Sequence, residues 1–161
     1  MCNQKTIVIN DKHSHDVLHV KKENRIRIGS DTIEFDHQQT KPLLMVDDDK
    51  CMKAIERKLL GYKNQDNKKH IHDAKTIISL QEAKEKLIAC NLKCQYCSEG
   101  VKVIYRIVRD PLQWTLDRID NKKNHSNINT VISCLHCNLQ RRNINKEKFQ
   151  FSKNFTLVKS K

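Results

Sequence analysis

WTLDRIDNKKNHSNINTVISCLHCNLQRRN, residues 114–143, is the stretch on which the fold turns. It reads as a strand over 112–119, a polar loop over 121–129, a short strand over 130–133 and a basic helix over 135–149. The helix opens on Cys134-x-x-Cys137-Asn138, and a second pair, Cys94-x-x-Cys97, stands just upstream. Four thiolates from two such pairs can close a tetrahedral Zn²⁺ site with Zn–S distances of about 2.3 Å. Four sulfurs leave no open coordination position, so the expected zinc is structural. The alternative, four unrelated thiols, fits a doubled pair poorly.

Working outward, SLQEAKEKLIAC (79–90) carries a capping box, Ser79 with Glu82, and an apolar stripe of Leu80, Ala83, Leu87 and Ile88. This helix delivers the chain into Cys94. VKVIYRIV (101–108) reads as a strand, Asp110-Pro111 as a turn, and Trp114 as core beneath the two strands. Further upstream, RIRIGSDTIEF (25–35) alternates about Gly29-Ser30 like a hairpin. DDDKCMKAIERKLLGY (47–62) reads as a helix near 47–60, with Met52, Ile55, Leu59 and Tyr62 on one face and Gly61 near its end. The polar run at 63–73 is the candidate boundary. The expected organisation is α+β: an N-terminal hairpin-plus-helix region at 1–73, a zinc-stapled module at 79–150 and a basic tail at 151–161.

The chain has 161 residues and a net charge of +12. Residues 91–161 hold 14 Lys/Arg against 5 Asp/Glu, whereas residues 1–90 hold 17 against 14. A basic half of this kind is the electrostatic footprint of a phosphate-rich partner. The competing explanation is AT-rich coding DNA, which inflates Lys and Asn and suits a large virus or mobile element. No stretch approaches the roughly 18 apolar residues of a membrane helix, and MCNQKTIVINDKHSH has no signal-peptide core. The expectation is an intracellular protein (cytoplasm, nucleus or viral factory), neither secreted nor membrane-bound. In a reducing compartment the cysteines speak for metal rather than disulfides, with Cys2, Cys51 and Cys90 as free thiols. His13, His15 and His19, mixed with Asp11 and Asp16, read as polar chain rather than a metal site.

Asp117 at a strand end and Asn138 after the last cysteine offer hard oxygens of the kind that Mg²⁺ takes, one ion shared across strand and helix. The plainer alternative makes Asp117 a turn residue and Asn138 an ordinary helix residue.

Residues 94–143 resemble the HNH, or ββα-metal, nucleases of phages, introns and CRISPR systems. The matching parts are Cys94-x-x-Cys97, Leu116-Asp117-Arg118-Ile119-Asp120-Asn121, Asn129 and Cys134-x-x-Cys137-Asn138. The resemblance covers about a third of the chain and none of residues 1–78. It implies a metal-dependent endonuclease, with Mg²⁺ or Mn²⁺ on Asp117 and Asn138, Asn129 pinning the loop, and 5′-phosphate and 3′-hydroxyl products from DNA, double-stranded by expectation.

Many members of that family carry a histidine, the general base, where this chain has Arg118. A guanidinium cannot accept a proton near neutral pH, but it can grip a phosphate. Three groups are within reach as a substitute base: His125 in the loop, Asp120, and His136. The last should face away from Asn138, about 160° around the helix. A metal-bound hydroxide without a protein base is the remaining route. Lys122, Lys123, Arg141, Arg142, Lys146 and Lys148 form the expected phosphate-gripping surface. The alternative function is a non-catalytic zinc-containing nucleic-acid-binding or structural subunit in which Arg118 marks lost hydrolysis. A zinc-stabilised protein adaptor is a third reading, and the N-terminal region is the candidate partner-binding part. On the nuclease reading Asp117→Ala leaves the fold intact and removes only cleavage.

Overall fold

The structure, a computed structural model, describes residues 37–153. The expected hairpin at 25–35, the histidines at 13, 15 and 19, and most of the basic tail lie outside the described residues. Within them the chain is mixed α and β. It runs α1 (His37–Met45), α2 (Asp49–Lys68), α3 (Leu80–Ala89), β1 (Trp114–Arg118), β2 (Thr130–Cys134), α4 (Leu135–Arg141) and α5 (Lys146–Lys153). None of these helices is long and apolar enough to cross a membrane.

Helix α2 starts where Asp48 caps the Cys51 amide at 3.0 Å. It does not stop near residue 60. It continues through the first half of the polar run to Lys68, because one face stays buried: Ile55, then Tyr62, then Asp66. The candidate boundary at 63–73 therefore begins as helix packed on the rest of the molecule. Helix α3 has the capping box read from the sequence, Ser79 N to Glu82 Oε2 at 2.8 Å and Glu82 N to Ser79 Oγ at 3.2 Å. Ala83 and Leu87 are fully buried on its stripe.

Strands β1 and β2 pair antiparallel, with Trp114 opposite Cys134 and Arg118 opposite Thr130. Trp114, Leu116 and Ile132 join Leu87, Ile55 and Leu44 in one core. Each such side chain contributes about 1.5–3 kcal/mol by leaving water.

Two expectations are corrected. Residues 101–108 are not a strand. Val101, Val103, Ile104 and Tyr105 are buried, but the backbone pairs only locally, Lys102 N to Leu112 O at 2.9 Å and Trp114 N to Lys102 O at 3.0 Å. Nor is 135–149 one helix. Arg142 takes φ 49°, ending α4, and the Asn145 side chain accepts from the Glu147 and Lys148 amides to start α5.

Candidate metal centre and the adjoining cleft

The two cysteine pairs reach each other because each sits on a tight turn. After α3, Asn91 and Leu92 both take left-handed φ near 52–53°, which swings the chain into Cys94. The first turn closes by Cys94 N to Glu99 O at 2.8 Å and Ser98 N to Cys94 O at 3.0 Å. The second pair lies where β2 becomes α4. Sulfurs are stabilised by backbone donors, Tyr96 N to Cys94 Sγ and Cys137 N to Cys134 Sγ, both at 3.4 Å.

The four sulfurs of Cys94, Cys97, Cys134 and Cys137 all lie within 4.8 Å of one another. A tetrahedron with Zn–S of about 2.3 Å has sulfur–sulfur edges of about 3.8 Å, and Cys97 and Cys134 stand 3.9 Å apart. The group can hold a zinc ion. Cys94 is pushed down to about 4, first by the hydrogen bond from the Cys134 thiol, while Cys134 is pushed up by the same contact. Burial pushes Cys137 up to about 12. A divalent ion favours the thiolate form that each sulfur needs in order to act as a ligand.

Alternation along β1 sends Thr115 and Asp117 toward α4 and Arg118 toward the end of α2. Asp117 is almost wholly buried, and its carboxylate is taken. Arg141 donates Nε to Oδ2 at 2.5 Å and Nη2 to Oδ1 at 2.7 Å, and the Tyr96 hydroxyl donates to Oδ2 at 2.5 Å. Burial opposes the Arg141 charge, but Asp117 outweighs it and the guanidinium is held more firmly protonated than usual. Burial and the neighbouring carboxylate push Tyr96 up, so it stays a donor. Asn138 gives its side-chain amide to Thr115 Oγ1 at 3.1 Å, leaving its side-chain oxygen without a partner among the described residues. A carboxylate has about four acceptor positions, and three are filled at Asp117. One Asp117 position and the Asn138 oxygen remain, donors of the hard kind that Mg²⁺ accepts. Any such ion has to sit beside the Arg141 charge.

Arg141 is thus not part of the exposed phosphate-gripping surface read from the sequence. It is 1 % exposed and ties Asp117 to the carbonyls of Arg118 and Ile144. Lys122, Lys123, Arg142 and Lys148 are exposed, and Lys146 is half-buried.

The loop between the strands is held from inside. Asn129 Oδ1 accepts from Asp120 N at 2.9 Å, and its amide donates to the Asp120 and Asn124 carbonyls. Asp120 itself caps the Lys122 amide at 2.9 Å, an ordinary Asx turn. His125 folds inward, 3 % exposed, with its ring 4.6 Å from that of Tyr62. Its backbone N and its Nδ1 both meet the Asp66 carboxylate at 2.8 Å. Arg118 reaches the same carboxylate from β1 at 3.4 Å and the Lys123 carbonyl at 3.2 Å. Burial, the largest effect, lowers the His125 pKa even against the pull of Asp66.

A cleft of about 480 Å³ lies between α2 and the strand–loop–strand–helix unit. Asp117, Arg118, His125 and Asn138 line it on one side, and Arg57 and Lys58 of α2 on the other. Asn129 lies outside the lining, and His136 is exposed and does not face the cleft. Three contributors were missed by reading residues in order: Tyr62, which accepts the Leu116 amide at 3.0 Å, Asp66 and Tyr96. Asp66 had a signal, since it falls four residues after Tyr62 on the apolar face of α2. Tyr96 had none beyond its place between two cysteines.

No family model, curated protein or solved structure matches this chain.

Proposed function

We propose that the chain is a metal-dependent endonuclease of the HNH type, hydrolysing DNA phosphodiester bonds to 5′-phosphate and 3′-hydroxyl ends. The observation that carries this reading is the convergence of Asp117, Arg118, His125 and Asn138 on one cleft beside a four-cysteine group. Asp117 and Asn138 are the residues that hold Mg²⁺ or Mn²⁺ in this reading. When bound, that ion supplies charge neutralisation at the scissile phosphate and at the leaving oxygen. The chain supplies the rest. Arg57 and Arg118 bring cationic donors to the cleft, and Arg118 grips phosphate rather than moving a proton. Lys122, Lys123, Arg142 and Lys148, all exposed, hold the backbone further out.

A second reading rests on one observation of its own. Arg141 occupies both oxygens of Asp117, as expected of a carboxylate retired into a structural ion pair. The chain is then a nucleic-acid-binding subunit without hydrolysis.

Nicking of supercoiled plasmid in Mg²⁺, Mn²⁺ and EDTA separates the two. The nuclease reading expects nicking in the metals alone, reduced at least a hundredfold in Asn138→Ala. Salt-sensitive plasmid binding with no nicking by the wild type rejects it in favour of the second.

A further inference from the structure

Helix α2 lies outside the residues that resemble a nuclease, yet its last buried turn enters the cleft. Asp66 is 0 % exposed and faces three nitrogens: His125 Nδ1, the His125 backbone amide and Arg118 Nη1. An ionised carboxylate only accepts. Nδ1 therefore carries the ring proton, and Nε2 is left with the lone pair. Among the described residues Nε2 meets no hydrogen-bond partner, and His125 lines the cleft.

We propose that His125 is the proton acceptor of this cleft and that Asp66 of α2 is the positioning residue that makes it one. The proposal rests on the nuclease reading and deepens it. It also answers what Arg118 cannot do, because the base comes from the loop while Arg118 braces the same carboxylate. In the step, a water O–H bond breaks and its proton passes to Nε2. The water oxygen bonds to phosphorus, the P–O3′ bond breaks, and the leaving oxygen takes a proton from solvent. The groups facing His125 are Asp66 and Tyr62 from α2, Lys69 just beyond it, and Arg118 from β1. Asp66 is the one anion among them. It favours the imidazolium that forms, and burial keeps the resting ring neutral.

The full zinc-loaded chain serves for the test. His125→Gly should nick plasmid about 10²–10⁴-fold more slowly than wild type, and added imidazole should recover at least tenfold, following the free-base fraction. Asp66→Asn keeps an acceptor oxygen, so it should retain zinc and KM while kcat falls. Imidazole ¹⁵N shifts of the wild type need no variant and should show Nδ1–H with unprotonated Nε2 at pH 7.5. Wild-type nicking with an unaffected His125→Gly, a folded His125→Gly that imidazole fails to rescue, or an Nε2–H ring overturns this proposal alone. A wild type that never nicks sinks the nuclease reading and this proposal with it.

Discussion

The two ends of the β1–β2 pair hold opposite kinds of centre. At the Trp114–Cys134 end, four sulfurs crowd within 4.8 Å, with no cationic side chain bonded to them among the described residues. At the Arg118–Thr130 end, two buried carboxylates, Asp117 and Asp66, are each met by an arginine. The first is a set of neighbouring thiols that can hold a zinc ion. The second already contains its counterions, so anything that binds there competes with a bond the chain makes for itself. On the proposed reading the sulfur centre holds the fold and the carboxylate cleft the chemistry, and the two should fail differently.

The largest failure belongs to the sulfurs. Cys94→Ser should release zinc and unfold the unit around β1 and β2, since the free energy of structural zinc binding is largely folding free energy, on the order of 10 kcal/mol. Zinc content and the Trp114 fluorescence transition check it. A variant that stays folded with its zinc would equate the two centres and remove the contrast.

Next comes Asp117→Ala. The sequence reading expected an intact fold, but both partners of the Asp117–Arg141 pair are buried. Removing one leaves an uncompensated charge, at a cost of about 3–5 kcal/mol. Denaturant unfolding should show that loss, and Asp117→Leu with Arg141→Met together should recover much of it. This is why Asn138→Ala is the cleaner test of cleavage.

A smaller effect separates the centres by pH. The His125 pKa is lowered from 6.5 in the fold. Above 6.5 both states carry a neutral ring and stability is full. As pH falls through 6.5 toward the lowered value, the unfolded chain takes up the proton first and stability is lost. With zinc in excess, the drop in the urea midpoint between pH 7.5 and 5.5 should be smaller in His125→Gln than in wild type. Equal drops would assign the whole acid sensitivity to the sulfurs.

The smallest effect leaves the fold untouched. Lys122→Gln and Lys123→Gln, both exposed, should not move the unfolding midpoint. Each should lower the salt-dependence slope of DNA binding by about 0.9, as read by filter binding across salt concentrations.

Much of the sulfur centre was legible in the sequence, because a Cys-x-x-Cys turn is local and two of them leave few other partners. The capping box of α3 and the Met52–Tyr62 face of α2 were legible for the same reason: capping and helical periodicity act within one or two turns. Residues 101–108 misled, since consecutive apolar residues can be buried in irregular chain as readily as in a strand. The break at Arg142 was hidden because Arg141 is drawn inward by an aspartate 24 positions earlier.

The amino-acid order by itself determined the cysteine spacing, the strand–loop–strand–helix succession and the presence at 118 of an arginine, which cannot accept a proton. Only the tertiary structure decided which charges are free. Asp117 was expected as an open ligand and is bound by Arg141 and Tyr96, and His125 was a loop histidine until Asp66 met it from a helix 59 residues away. Charge pairing depends on distance and burial, not on separation along the chain. A carboxylate in a low-dielectric interior takes whichever cation the packing brings to it.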